Sequence, residues 1–157
     1  MKYNGCMDKR GFTLIEILVV VALITLLATT YFLVANPAGQ LAAARNTTRS
    51  NELQAIMNAI RQNIDDQANG QFSCSSGPLP TSTPEDMASS GTSTYDIARC
   101  LVTTYLYTLP YDPSAPGAHY ASVSDYDTGY TVMIDASGTI TLGAPHAELG
   151  KTISVSR

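Results

Sequence analysis

Apolar residues fall into three patterns along this chain, and each predicts a different element. The first is an unbroken run: Phe12 to Ala35 is a 24-residue stretch with one charge, Glu16. As a helix it would reach about 36 Å, enough for a hydrocarbon core about 30 Å thick. The second is a stripe. Leu53, Ile56, Met57, Ile60 and Ile64 recur at spacings of three and four, which puts them on one helix face. Asn51, Glu52, Asn58, Asn63 and Asp65 fill the remaining faces. Together these patterns predict one long helix from about Phe12 to about Asp66, stopping near Asn69-Gly70. Pro37 should kink it, because proline lacks an amide donor and crowds the preceding turn. The third pattern is alternation. Tyr130, Val132 and Ile134 interleave with Thr131, Met133 and Asp135, and Ala136-Ser137-Gly138 leads into Thr139–Leu142. That reads as a β-hairpin. His119 to Val123 supplies an earlier strand, and Thr152 to Arg157 is either a last short strand or disordered.

Between stripe and hairpin the chain is polar. Ser73 to Thr94 holds Pro78, Pro80, Pro84 and eleven Ser or Thr, and is expected to be a surface loop without a core of its own. It offers sites for O-linked sugar, with a bare loop as the equal alternative. Asn46-Thr47-Thr48 has the N-glycosylation spacing but lies on a predicted helix. Asp96 to Tyr107 is expected to form a short second helix, capped by Thr94 and ended by Pro110. The fold class is therefore α+β: a long N-terminal helix, half membrane-spanning and half amphipathic, packed on a small antiparallel sheet.

Composition narrows the function classes. Only 14% of the 157 residues are charged, against about 25% in an average soluble domain. The formal net charge is −4, which argues against nucleic-acid binding driven by phosphate attraction. Two histidines and three cysteines cannot make a zinc-finger array. No phosphate-binding glycine loop and no metal-spaced histidine pair occurs, so no cofactor is expected. A Ser–His–Asp set can be written down around His119 or His146, but no motif supports it, and surface histidines are the better reading. The chain is not expected to be an enzyme.

The N-terminal run carries the sharpest signal. Lys2, Lys9 and Arg10 precede it against one acid, Asp8, so this end should stay cytoplasmic and the C-terminal side should face outward. A cleaved secretory signal fits less well. Its apolar region is typically about 7–15 residues and ends in a small-x-small site, whereas this run closes with Leu33-Val34-Ala35-Asn36-Pro37. Glu16 is the anomaly: a carboxylate inside a membrane helix costs about 2.5–3.5 kcal/mol on insertion scales. By charge alone it is either functional or placed near the interface, reaching headgroups.

Lys9-Arg10-Gly11-Phe12-Thr13-Leu14-Ile15-Glu16 resembles the leader junction of type IV prepilins and type II secretion pseudopilins at every position. The Leu109-Pro110-x-Asp112-Pro113 stretch and the hairpin are similar, more loosely, to the C-terminal half of that family. The resemblance implies a leader, residues 1–11, removed by a membrane prepilin peptidase between Gly11 and Phe12, with N-methylation of Phe12. It implies a transmembrane and polymerisation helix, 12–35, and an amphipathic helix half with a small pilin-like head, 36–157. Thr13 and Glu16 take assembly roles, Glu16 neutralising the Phe12 amine of a neighbouring subunit. The implied partners are other pilin subunits, the peptidase and an inner-membrane assembly platform. The implied location is the cytoplasmic membrane, single-pass with the head outside, and then a cell-surface or periplasmic filament. Pilus and pseudopilus remain open, as do two readings from other classes: a monomeric membrane-anchored binding domain and an exported hydrolase.

Leader removal would also change the arithmetic. Six basic and twelve acidic residues would remain, and Cys6 would leave. Cys74 and Cys100 would then be an even pair in an exported domain, which favours a disulfide over two separate thiols. Asp112, Asp125 and Asp127 lie where major pseudopilins hold a structural calcium. Their spacing does not reproduce a calcium loop, so solvated loop carboxylates are the expectation.

Overall fold

A computed structural model describes residues 11–157, and Thr13 caps its first helix. Thr13 sits in an extended conformation, and its hydroxyl accepts from the Glu16 amide at 3.3 Å. This satisfies one of the orphan donors of the first turn. α1 runs Leu14–Ala35. Its stretch Leu14–Phe32 has a mean hydropathy of 2.3, and the helix is long and apolar enough to cross a membrane. Its polar side chains satisfy themselves within the helix. Thr25 donates to the Ala22 carbonyl at 2.9 Å, Thr29 donates to the Thr25 carbonyl, and Thr30 donates to Leu27 at 2.9 Å. In hydrocarbon a hydroxyl has no water to turn to, so this back-bonding removes a cost.

The expected single kinked helix is instead two helices. Asn36 adopts a left-handed conformation at φ 36° and ends α1. Asparagine tolerates that region better than most residues. Pro37 then opens α2, Pro37–Asp65, at the first helical position, where its missing N–H costs nothing. The chain divides into two compact units between Ala38 and Gly39.

The second unit holds the core. On α2 the stripe Leu53, Ile56, Met57 and Ile60 is fully buried, with Ile64 packed at its edge. It meets Tyr126, Tyr130, Val132, Ile140, Leu142 and Ala144 of an antiparallel sheet. The strands are β1 Glu85–Ala88, β2 His119–Ser122, β3 Asp125–Ile134, β4 Ile140–Ala144 and β5 Ile153–Ser156. Their order is β1-β3-β4-β5, with β2 pairing the first part of β3. The β3–β4 hairpin turns at the expected residues. Asp135 accepts from the amides of Ser137 at 2.8 Å and Thr139 at 2.9 Å, and Gly138 takes φ 85°. Of the two alternatives for the tail, the strand is the outcome: Arg157 and Ile140 exchange backbone hydrogen bonds at 2.8 and 3.0 Å.

Two expectations fail in the middle of the chain. The Ser/Thr-rich stretch is not all loop. It contains β1, which pairs with β3 from Glu85↔Val132 to Ala88↔Asp127, and it buries Leu79, Met87 and Ala88. The second helix shrinks to α3, Ala98–Leu101. Thr94 does not cap it. Ile97 occupies the cap position without a side-chain bond, while Thr94 bridges Asp86. A positive φ of 75° at Thr103 prevents α3 from continuing towards Tyr107.

Candidate functional site

The first candidate site is the N-terminal edge of α1. Gly11 precedes the helix, and among the described residues nothing lies within 4 Å of where its Cβ would stand. Phe12 is 79% exposed, and Thr13 caps α1. This leaves the Gly11–Phe12 peptide outside regular structure. Glu16 lies in the first helical turn, its amide held by the Thr13 carbonyl at 3.1 Å. An acid there complements the positive end of the helix dipole. Among the described residues no ion pair engages its carboxylate. Every described side chain from Leu14 to Phe32 is exposed, apolar groups pointing out on all sides. A helix apolar all round needs lipid or other helices for its partner. Lys2, Lys9, Arg10 and Cys6 lie outside the described residues.

The second feature is a polar clasp inside the head, which sequence reasoning missed. Arg49 points from the buried face of α2 and is fully buried. Its Nε and Nη2 donate to Asp112 Oδ2 and Oδ1 at 2.7 and 2.9 Å. Nη2 also donates to the Ser114 hydroxyl at 2.6 Å, and Nη1 donates to Asn46 Oδ1 at 2.8 Å and Glu148 Oε2 at 3.0 Å. One turn earlier, Arg45 forks onto Glu148 at 2.7 and 2.6 Å. Asn46 completes the seam, donating to the Glu148 carbonyl at 2.8 Å and accepting its amide at 2.9 Å. Two segments distant in sequence, one at Asp112 and Ser114 and one at Glu148, are thus fastened to α2. The signal that points to them is the stripe itself. Extended backwards at the same spacing, it runs through Arg49 and Asn46 to Ala42, all buried.

This geometry sets the charges. Hydrogen bonds from Arg45, then Arg49, hold the Glu148 carboxyl down to about 2. Burial pushes the Asp112 carboxyl up, but the Arg49 fork and the amides of Ser114 and Ala115 outweigh it, so it lies below the usual carboxylate range. Beside them burial pushes Glu52 up, although Tyr130 donates its hydroxyl to it.

The three candidate calcium ligands do not converge. Asp112 is no solvated loop carboxylate, since all its acceptor capacity is turned inward to Arg49 and the loop amides. Asp125 is exposed and faces His119 Nε2 at 3.2 Å, and Asp127 accepts the Gly129 amide at 2.9 Å. Among the described residues no three His, Cys, Asp or Glu side chains are grouped to hold a metal ion. The other ring nitrogen of His119 lies 2.7 Å from the Gly117 carbonyl, so neither nitrogen faces a serine. His146 is exposed, and Asn46 is spent on Glu148. Cys74 and Cys100 are joined as a disulfide, Cα atoms 5.2 Å apart, closing the segment that carries β1.

Residues 6–32 match the family model described as the prokaryotic N-terminal methylation motif. No curated protein sequence and no solved structure matches the chain. That motif belongs to structural pilin-type proteins rather than to an enzyme family. The chain therefore carries the prepilin-type signal for cleavage and N-methylation, set at the start of a helix long and apolar enough to cross a membrane.

Proposed function

We propose that this chain is a structural subunit of a type IV pilus-like filament or a type II secretion pseudopilus. Prepilin peptidase cuts between Gly11 and Phe12 and methylates the new Phe12 amine. The membrane pool of cut subunits then enters a helical filament whose core is the packed 12–35 segments, recruited at an inner-membrane assembly platform. The head stays on the outer side throughout, and the finished filament lies in the periplasm or on the cell surface. The subunit is a substrate and a building block, without a reaction of its own.

The observation that carries this reading is the motif at residues 6–32, read together with the helix behind it. A carboxylate one turn into an all-apolar helix is costly alone, and tolerable when an ammonium pairs with it in a packed bundle. Cleavage creates that ammonium at Phe12, and the leader withholds it until then. Intact-mass measurement of the chain from membranes tests the reading. The expected species begins at Phe12 and is heavier by one methyl group. An uncut chain, or one cut after Ala35, sinks it.

A further inference from the structure

Among the described residues asparagine is followed by glycine once, at Asn69-Gly70, and both residues are exposed in the turn after α2. Gly70 takes φ 63°, and among the described residues nothing lies within 4 Å of where its Cβ would stand. The Asn69 carboxamide oxygen accepts the Gln71 amide at 3.0 Å. The ring of atoms closed by that bond contains the Gly70 nitrogen, so the carboxamide is folded back over it and its carbonyl carbon is polarised. Nucleophile and electrophile are thus neighbours, with no side chain on Gly70 between them. The Gly70 amide donates to the Gln67 carbonyl at 3.0 Å, a single bond in an exposed turn, where opening costs little. The other described asparagines differ. Asn46, Asn51, Asn58 and Asn63 lie inside α2, where the next amide belongs to a cooperative helix ladder. Asn36 precedes Pro37, whose nitrogen carries no hydrogen.

We infer that Asn69 is a site of spontaneous deamidation in the folded head. The Gly70 nitrogen gives its proton to solvent hydroxide and attacks Cγ of Asn69. The Cγ–Nδ2 bond breaks, ammonia leaves with a proton from water, and a succinimide closes. Water then opens either carbonyl of the ring, leaving aspartate or isoaspartate at position 69. The reaction needs only water, and it stands whether or not the subunit enters a filament. The product matters because the turn is tied on both sides. Upstream the Gln67 amide donates to the Ile64 carbonyl at 3.1 Å, and downstream Asn63 clamps the Ser73 backbone at 3.1 and 2.9 Å. Between these ties Gly70, Gln71 and Phe72 line a cavity of about 390 Å³ with Ile64, Leu79 and Ile134. Isoaspartate routes the backbone through the side chain and adds one methylene to this closed segment, which moves Phe72 against the core it packs on. Either product also adds a carboxylate a few positions after Asp65 and Asp66, just past the C-terminal end of α2, where the helix dipole disfavours negative charge.

The test incubates the full chain at mildly alkaline pH, folded in detergent and, in parallel, unfolded in guanidinium with its disulfide reduced. Isoaspartyl methyltransferase labelling and fragment masses of the tryptic peptide Gln62–Arg99 locate the product. The expected result is label and an amide-to-acid mass change at Asn69 in the folded chain, at a rate within tenfold of the unfolded one. Asn63, in the same peptide, should stay intact in the fold. Gly70→Ala should slow the reaction at least tenfold. Because alanine is strained at that φ, Asn69→Gln serves as the second variant: it keeps an amide but needs a six-membered ring, and should give no label. The aged chain should exchange the Gln71 and Phe72 amides at least twofold faster than fresh chain, with β4 unchanged. A folded chain converted more than tenfold slower than the unfolded one overturns the inference, as does label that persists in Asn69→Gln. Equal exchange at Gln71 and Phe72 before and after ageing overturns the link to Phe72.

Discussion

Arg49 is the residue on which the interior of the head depends. It is the largest fully buried side chain among the described residues, and its guanidinium donates to four other side chains: Asp112, Ser114, Asn46 and Glu148. Removing it strands the Asp112 carboxylate in a buried site, so Arg49→Met should destabilise the head by about 3–5 kcal/mol, read as a lower urea midpoint. Replacing both partners, Arg49→Met with Asp112→Leu, should recover most of that loss, because an apolar pair of similar volume carries no desolvation cost. The clasp also fixes the response to acid. An unfolded glutamate titrates near about 4.3, whereas Glu148 in the fold titrates at about 2. The folded value is the lower one, so the contribution is complete above the unfolded value and fades as pH falls between the two. Asp112 shifts in the same direction and adds to that slope. Glu52 is pushed up instead and acts with the opposite sign. Glu148→Gln should therefore flatten the fall in stability between about pH 4.5 and 2, measured as urea midpoint against pH. A wild-type slope in that variant would place the acid response elsewhere. Little of this was legible beforehand. Arg49 and Asp112 stand 63 positions apart, and no local pattern announces such a pair. The motif that holds Gly11, Phe12, Thr13 and Glu16 was legible because it is contiguous.

At the scale of elements, regular periodicity was readable and broken periodicity was not. The α2 stripe and the β3–β4 hairpin keep their periods over many residues, and both appear where the pattern puts them. β1 escaped because its pairing with β3 shifts register between Asp86 and Ala88. Such a bulge buries Met87 and Ala88 side by side and erases the alternation that marks a strand. α3 was overdrawn because helix-compatible residues after Leu101 are overruled by tertiary ties. Cys100 is bonded to Cys74, and the Tyr126 hydroxyl accepts the Ala98 amide at 3.1 Å while donating to Asp96 at 2.8 Å. The disulfide spans a separation of 26 residues, and between its ends lies β1. On the chain-entropy account a loop of that size is worth about 3.5 kcal/mol. Cys74→Ser with Cys100→Ser should lower head stability by about 3–4 kcal/mol. It should speed amide exchange in β1 well before β3 and β4, whose hairpin needs no cross-link. Equal acceleration in all three strands would mean that the bridge steadies the whole head rather than its β1 segment.

At the scale of the molecule the two units divide the work. The buried core of the head is made of residues from Leu53 onwards, so the head can hold its structure without help from Glu16. The α1 unit has the opposite character, with apolar side chains exposed from Leu14 to Phe32 and one carboxylate in its first turn. If residues 1–11 are a leader, 12–35 a polymerisation helix and 36–157 a head, a change at Glu16 should separate assembly from everything else. Glu16→Ala removes a group whose presence in hydrocarbon costs about 2.5–3.5 kcal/mol, so membrane insertion should be as good or better. Cleavage depends on the Gly11–Phe12 junction and should persist, with the chain mass still starting at Phe12. The head's urea midpoint and its disulfide should be unchanged. Only the filament should fail, because the Phe12 ammonium of one subunit would lose the carboxylate that neutralises it in the next. The measurement is the yield of subunit in sheared or periplasmic filaments relative to the membrane pool, with Glu16→Asp alongside to test whether charge alone suffices. A fall of tenfold or more in filament yield for Glu16→Ala, beside normal processing, is the expected result. Unchanged yield would leave the carboxylate without a role in assembly, and the apolar helix would then be an anchor rather than a core.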